Sequence, residues 1–125
     1  MTQSLATIAI LVADYDEAIR FYRDQVGFSL TEDKDMGGGR RWVVITPPSN
    51  RGARLLLARA EGDEQQAAVG KQGGGRVMFF LETDDFARDH QQMTARGVRF
   101  LEEPRHETYG SVAVFADLYG NKWDL

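Results

Sequence analysis

The amino-acid sequence predicts an α+β domain made of two similar halves, each with a strand, a helix and three further strands. Short segments recur at nearly constant spacing: Val12–Asp14 corresponds to Thr83–Asp85, and Gly27 corresponds to Gly97, at offsets of 71 and 70 residues. Each half has one stretch with the apolar spacing of a helix, and several that alternate like strands. Because one half alone buries its sheet poorly, we expect two copies side by side that form a curved mixed sheet.

The first half, residues 1–59, begins with an alternating strand from Leu5 to Val12. Asp14 is placed to cap a helix that runs to about Gln25, since an aspartate accepts hydrogen bonds from the first free backbone N–H groups. The apolar residues at helical spacing predict its buried stripe: Ala18, Ile19, Tyr22 and Val26. Gly27 is a suitable helix end because glycine adopts a left-handed backbone at little cost. The three following strands are predicted at Phe28–Thr31, Arg40–Thr46 and Ala53–Arg59.

The second half, residues 76–125, repeats this order after a small, charged and glycine-rich stretch, residues 60–75, which we interpret as a surface linker. A helix is predicted over Phe86–Arg96, capped by Asp84 or Asp85. The strands of this half are predicted at Val77–Thr83, Val98–Leu101, Ser111–Ala116 and Lys122–Leu125.

The last strand places a carboxylate on its polar side. Alternation directs Trp123 and Leu125 to one face and Asp124 to the other, after a turn at Asp117–Asn121. Two interpretations of Asp124 stay open. In one, the side chain is solvated or paired with Arg54 across the sheet. In the other, it orients a polar ligand or acts as a base.

Composition limits the classes of function. The 125 residues suffice for one domain with a real core, and the absence of cysteine excludes disulfides, thiolate metal ligands and cysteine nucleophiles. A net charge of −4, with acids and bases interspersed, does not indicate nucleic-acid binding. No apolar run approaches the roughly 18 residues of a membrane helix, and the first residues lack the pattern of a signal peptide. We expect a cytoplasmic protein without nucleic-acid or membrane partners.

An ordered set of motifs resembles one known group of proteins. In the first half these motifs are Val12-x-Asp14, Ala18-Ile19-x-Phe21-Tyr22 and Gly27-Phe28. In the second half they are Thr83-Asp84-Asp85, Gly97-Val98, Tyr109-Gly110 and Phe115-x-Asp117-x-x-Gly120-Asn121-x-Trp123. The set resembles the vicinal-oxygen-chelate superfamily, which includes glyoxalase I, bleomycin-resistance proteins and extradiol dioxygenases. The resemblance implies two βαβββ modules whose strands curl into a ligand-binding cup, and a homodimer.

For enzymes of this group, the resemblance implies one divalent metal, held by His, Glu or Gln side chains, that binds adjacent substrate oxygens as a Lewis acid. The corresponding positions here are Thr7, Arg54 (or Leu56 if the strand shifts by one pair), Met78 and Asp124. Only Asp124 is a good oxygen ligand, whereas Met78 offers a soft thioether and Arg54 is itself a cation. We therefore predict no metal site and no cofactor.

Two histidines and four apolar residues are further candidates. His90 is predicted on a solvated helix face. His106 is predicted in a loop near the mouth of the cup, either simply exposed or available for ligand contact and proton transfer. The candidates for an apolar lining are Trp42, Met78, Phe80 and Tyr109, with packing in an ordinary core as the alternative. The serines show no nucleophile motif and no neighbouring base in the sequence.

These observations lead to one function and one alternative. The function is a metal-free cup that binds a small aromatic or cationic molecule. Its predicted ligand contacts are Thr7, Trp42, Arg54, Met78, Phe80, Tyr109 and Asp124, and Asp124 and His106 are the candidate catalytic residues. The alternative is a lyase, isomerase or dioxygenase, similar to lactoylglutathione lyase, that uses a divalent metal on a substrate with vicinal oxygens.

Overall fold

A computed structural model describes residues 2–49 and 51–125, and Met1 and Asn50 lie outside the description. The chain divides into two compact units, residues 1–69 and residues 70–125. The boundary falls inside the glycine-rich stretch, whose first part forms a short helix, α2 (Gly62–Ala68). The organisation of the two repeats as one domain stays a prediction. None of the described helices is long and apolar enough to cross a membrane.

The first unit contains a four-stranded mixed sheet. Its strands are β1 (Thr7–Val12), β2 (Ser29–Gly37), β3 (Arg40–Thr46) and β4 (Arg54–Arg59). They lie in the order β1-β4-β3-β2, with β1 and β4 parallel and the other neighbours antiparallel. The second strand is longer than predicted, because its pairing with β3 continues to Gly37.

One helix follows the first strand, as predicted. Helix α1 (Tyr15–Arg20) begins after Asp14, whose carboxylate accepts a hydrogen bond from the Glu17 N–H at 2.8 Å. The helix continues as a wider π-helical segment (Phe21–Val26) and ends at Gly27, where φ is 101°. Its buried side chains include the predicted stripe: Ala18, Ile19, Tyr22 and Val26.

Helix α1 packs against one face of the first sheet. The Tyr15 hydroxyl accepts a hydrogen bond from the Arg41 N–H at 3.2 Å, and the guanidinium groups of Arg41 and Arg59 lie 5.2 and 5.3 Å from the centre of its ring. The buried side chains that alternate onto this face are Ile10, Val12, Val43, Ile45, Leu55 and Leu57. We call the opposite face, with Glu32, Trp42, Val44, Arg54 and Leu56, the first open face.

The second unit repeats the topology with shorter strands. Its elements are β5 (Val77–Phe80), α3 (Phe86–Ala95), β6 (Arg99–Phe100), β7 (Arg105–Glu107), β8 (Gly110–Val112), β9 (Val114–Ala116) and β10 (Lys122–Asp124). The four-stranded sheet has the order β5-β10-β9-β6, again with a parallel first pair, and β7 and β8 form a separate hairpin. Both the α+β class and the βαβββ order of each half are therefore confirmed.

A row of aromatic rings fills the helix side of this second sheet. Ring centroids are 5.6 Å apart for Phe100 and Phe115, 5.8 Å for Phe115 and Trp123, and 4.4 Å for Trp123 and Phe79. Alternation places Phe80, Val114 and Asp124 on the opposite side, which we call the second open face.

Two strand predictions for this unit were wrong in extent. The strand predicted at Ser111–Ala116 is interrupted at Ala113, so that β8 pairs with β7 and β9 pairs with β10 and β6. The strand predicted at Val77–Thr83 ends at Phe80, because Thr83 and Asp85 form the hydrogen-bonded turn that caps the following helix. The Asp85 N–H donates to the Thr83 hydroxyl, and the Asp85 carboxylate accepts from the Arg88 N–H.

Candidate functional site

An ion pair lies on the first open face. Arg54 Nη1 donates to Glu32 Oε2 at 3.3 Å, and the Lys34 ammonium lies 3.6 Å from Glu32 Oε1. The side chains of Arg54 and Glu32 are 37% and 28% exposed, so the pair is half-buried. Within the first unit, the carboxylate that Arg54 contacts is Glu32. The pairing of Arg54 with Asp124 stays a prediction.

Asp124 lies half-buried on the second open face, with one of its two carboxylate oxygens shielded from water. Phe80 and Val114 are its cross-strand neighbours. Within the described residues, its Oδ1 atom is buried and meets no hydrogen-bond donor. Desolvation raises the pKa of this carboxyl, the nearby charge of Glu102 raises it further, and Arg105 opposes both. The side chain as a whole is half-buried, so both interpretations of Asp124 stay open.

The predicted lining residues are mostly exposed within the structure. Phe80 and Tyr109 are each 74% exposed, and Trp42 is 40% exposed. Packing in an ordinary core was therefore the wrong alternative for these three side chains. Met78 is half-buried, and a Cβ atom added to Gly73 would collide with its side chain, so the glycine-rich segment lies directly on Met78. The role of these residues as ligand contacts stays a prediction.

The donor set implied by the family resemblance does not fit a divalent metal. Thr7 lies opposite Arg54 in the parallel pair, so a hydroxyl neighbours a guanidinium there. In the second sheet, Asp124 lies opposite Phe80 rather than Met78. One carboxylate, one thioether, one hydroxyl and one cation do not make a site for a hard or borderline ion. Among the described residues, no group of three His, Asp or Glu side chains is arranged to hold one.

His106 and Ser111 form a contact that the sequence did not suggest. They are cross-strand partners in the β7–β8 hairpin, and His106 Nδ1 lies 2.8 Å from the Ser111 hydroxyl. Ser111 therefore has a base within reach, contrary to our prediction. The contact lies on an exposed two-stranded hairpin, and no described carboxylate hydrogen-bonds to the imidazole.

His90 packs between rings rather than facing solvent. Its imidazole lies 5.5 Å from the Phe86 ring and 4.3 Å from the Phe100 ring, and the residue is half-buried. The prediction of a solvated helix face was wrong, because β6 brings Phe100 against this side of α3. The role of His90 is packing at the end of the aromatic row.

Sequence analysis missed two charged residues near the candidate positions. Glu32 lies in the part of β2 beyond the predicted strand, so the sequence did not indicate its face. Glu102 accepts hydrogen bonds from Arg105 Nε and from the Val114 N–H, both at 3.0 Å, next to the strand position of Asp124. No spacing in the sequence could have indicated that second contact, since it joins a loop to a strand.

Comparison with known proteins gives consistent matches over nearly the whole chain. Residues 4–125 match the profile of the Glyoxalase/Bleomycin resistance protein/Dioxygenase superfamily. An uncharacterized protein of Shewanella frigidimarina (strain NCIMB 400) is 52% identical over 126 residues, which cover 100% of this chain and 93% of that protein.

Two solved structures are similar to this chain throughout. The crystal structure of UcmS2 has a TM-score of 0.86 and 26% identity, covering 100% of this chain and 98% of that chain. TnmS3, an antibiotic binding protein from Streptomyces sp. CB03234, has a TM-score of 0.80 and 27% identity, covering 99% and 94% respectively.

Proposed function

The chain belongs to the Glyoxalase/Bleomycin resistance protein/Dioxygenase superfamily, and we propose that it binds a small aromatic molecule with a hydrogen-bond donor, without a metal ion. One observation carries the proposal. On the second open face, the buried Oδ1 atom of Asp124 has no donor among the described residues, and the neighbouring Phe80 ring is 74% exposed. A ligand that brings a donor to the carboxylate and a ring to Phe80 satisfies both groups.

The energetic argument is that both features are unfavourable in the free protein. A buried polar atom without a partner costs about 1–3 kcal/mol, and an exposed ring forgoes the gain from burial. Selection for stability alone would not retain either side chain. Residues that lower stability in this way are expected at functional positions. The antibiotic binding protein TnmS3, at 27% identity, supports ligand binding as the role of this architecture.

The metal-free part of the proposal comes from the chemistry of the side chains. Arg54 occupies a position where the resemblance implies a metal ligand, and its guanidinium contacts Glu32. These side chains therefore do not support a metal-dependent reaction step. Asp124 acts in this proposal as a hydrogen-bond acceptor for the ligand, not as a metal ligand.

The proposal is tested with 2-naphthol, which combines an aromatic body with one hydroxyl donor. Isothermal titration calorimetry is expected to show saturable binding at one site per chain. Replacing Asp124 by Asn (Asp124→Asn) should weaken binding about tenfold, because the hydrogen bond then loses its charged acceptor. Phe80→Ala should weaken it as well. The control Glu103→Gln, which removes one charge from an exposed position of the same unit, should leave binding unchanged.

Metal analysis of the purified protein, with and without added Ni²⁺, Zn²⁺, Mn²⁺ and Fe²⁺, tests the alternative. Stoichiometric tight binding that is lost in Asp124→Ala would replace our proposal by a metal-dependent lyase, isomerase or dioxygenase. Failure of wild-type protein to bind 2-naphthol would reject the proposed ligand class.

We also propose that the protein is a cytoplasmic homodimer. This part rests on the family resemblance and on the composition of the chain. Light scattering coupled to size-exclusion chromatography measures the assembly directly, and a mass of one chain, 14.0 kDa, would contradict it.

A further inference from the structure

Arg105 is a cation of the second unit that acts on Asp124 but is bound by two other carboxylates. Its Nε donates to Glu102 Oε1 at 3.0 Å, and its Nη1 donates to Glu107 Oε1 at 3.3 Å. Desolvation raises the pKa of Asp124, and the positive charge of Arg105 lowers it, so the guanidinium lies within electrostatic range of that carboxyl. The buried Oδ1 atom of Asp124 nevertheless receives no hydrogen bond from Arg105.

Glu102 connects this arginine to the strand beside Asp124. Its Oε1 atom accepts from Arg105 Nε, and its Oε2 atom accepts from the Val114 N–H, both at 3.0 Å. Val114 is the residue opposite Asp124 in the antiparallel pair of β9 and β10. Because one oxygen of Glu102 is anchored to the backbone, the other presents a fixed acceptor to the guanidinium.

The two carboxylates differ in how well they are supplied with donors. The hydrogen bond from Arg105 lowers the pKa of Glu102, desolvation opposes it, and the Val114 N–H lowers the pKa as well, so Glu102 is ionised at neutral pH. Asp124 has a buried oxygen without a donor among the described residues. If Glu102 lost its charge, pairing with Arg105 would satisfy that oxygen, since a guanidinium carries five N–H donors.

We propose that Glu102 is a positioning residue that holds Arg105 away from Asp124, and so keeps the Oδ1 atom of Asp124 open for the donor of the ligand. This inference rests on the proposed function, because it explains how a ligand-binding acceptor stays free beside a cation of its own unit. Glu107 is a weaker second partner of Arg105, since its contact is the longer one and its side chain is 40% exposed.

The experiment measures 2-naphthol binding by isothermal titration calorimetry. Glu102→Gln keeps an oxygen for the Val114 N–H but loses the charge that holds Arg105. It should weaken binding about fivefold, because the ligand must then displace the guanidinium from Asp124. Arg105→Gln alone should change binding less than about twofold, and the double variant Glu102→Gln/Arg105→Gln should return it to within about twofold of wild type. The matched control Glu103→Gln removes an exposed charge next to Glu102 and should have no effect.

The rescue by the second substitution separates the proposal from a structural role. Wild-type affinity in Glu102→Gln would overturn the inference and leave the proposed function intact. A double variant that binds as weakly as Glu102→Gln would overturn it too, because the loss would then come from the contact with Val114. Circular dichroism melting confirms that each variant is folded. Failure of the wild type to bind 2-naphthol would reject the proposed function, and a stability measurement without ligand then decides whether Glu102 restrains Arg105.

That measurement is urea denaturation of Asp124→Asn in two backgrounds at neutral pH. In otherwise wild-type protein, Asp124→Asn should raise the urea midpoint, because the carboxylate it removes is desolvated and lacks a donor at Oδ1. In the Glu102→Gln background the same substitution should lower the midpoint, because Asp124 then pairs with Arg105. A change of the same sign in both backgrounds would overturn the inference.

Discussion

The two units share one strand order but fill it with different chemistry. On the helix side, the first sheet is packed with aliphatic side chains such as Ile45 and Leu57, whereas the second is packed with a row of rings centred on Phe115. On the open side, the first sheet holds a charged pair, Glu32 with Arg54, whereas the second leaves the carboxylate oxygen of Asp124 without a donor.

This difference separates the part of each sheet that the repeated topology requires to be apolar from the part where other residues are tolerated. Both sheets need an apolar helix side, and either branched or aromatic residues can supply it. The open faces are packed in part, since Val44 is fully buried on the first of them. Their polar positions, such as Asp124, carry groups that stability alone would not select. We therefore expect substitutions on the helix sides and in the connecting turns to change stability most, and substitutions on the open faces to change binding.

The largest stability effect is expected at a glycine of the second unit. A Cβ atom on Gly70 would collide with the Tyr119 carbonyl oxygen, whereas one on Gly74 would meet nothing within 4 Å. Both residues have positive φ, 75° and 63°, so both alanine variants pay the same backbone strain of about 1 kcal/mol. Gly70→Ala should cost about 1–3 kcal/mol more than Gly74→Ala, because the backbone must shift. Urea denaturation of the two variants measures this difference, and equal midpoints would contradict it.

The next largest stability effect is expected at the N-terminal caps of α1 and α3. Asp14 accepts from the Glu17 N–H at 2.8 Å and Asp85 from the Arg88 N–H at 3.1 Å, so the repeats use the same cap. Asp14→Ala and Asp85→Ala should each cost about 1 kcal/mol. Thermal denaturation measures both, and Asn variants, which keep a capping oxygen, should recover most of the loss. A cost in one unit alone would show that the repeats are not energetically equivalent.

The smallest expected effect is an increase in stability, at Asp124. Because desolvation raises the pKa of Asp124 in the folded protein, ionisation of this group costs stability as pH rises from the ordinary aspartate value of about 4 through the folded pKa. Asp124→Asn should therefore stabilise the protein at neutral pH, on the order of 0.5 kcal/mol since the side chain is partly solvated. The gain should shrink as pH falls toward about 4 and vanish well below that value, where this carboxyl is protonated in both the folded and the unfolded wild-type chain.

Melting temperatures of wild type and Asp124→Asn between pH 3 and pH 8 check this prediction. Glu103→Gln is the matched control, since it removes one negative charge from an exposed position of the same unit. A stability loss in Asp124→Asn at neutral pH would mean that the carboxylate has a favourable partner, and the proposed role of Asp124 would then need another basis.

Local features of the fold could be predicted from the sequence. The cap at Asp14, the helix end at Gly27 and the buried stripe of α1 all depend on a few consecutive residues, and all were confirmed. The repeated order of elements was also predictable, because the same short signals recur in both halves. The turn before the last strand was predicted for the same reason, with Gly120 at φ 99°.

Features that depend on pairing could not be predicted. Alternation assigns Asp124 to a face, but only the registers of β10 with β5 and with β9 show that Phe80 and Val114 are its cross-strand neighbours. The contact of His106 with Ser111 requires the β7–β8 hairpin, whose second strand includes the start of the expected continuous strand. The partner of Arg54 comes from an edge strand whose length the sequence did not reveal. These three errors concern contacts between segments, which residue spacing does not encode.

The distribution of the two tryptophans makes each unit optically distinct. Trp123 is 4% exposed and stacks with Phe115, and Trp42 is 40% exposed in the other unit. Emission from Trp123 is therefore expected at shorter wavelength than emission from Trp42. Variants with a single tryptophan, Trp42→Phe or Trp123→Phe, would follow one repeat at a time during unfolding, and would show directly whether the two repeats lose their structure together.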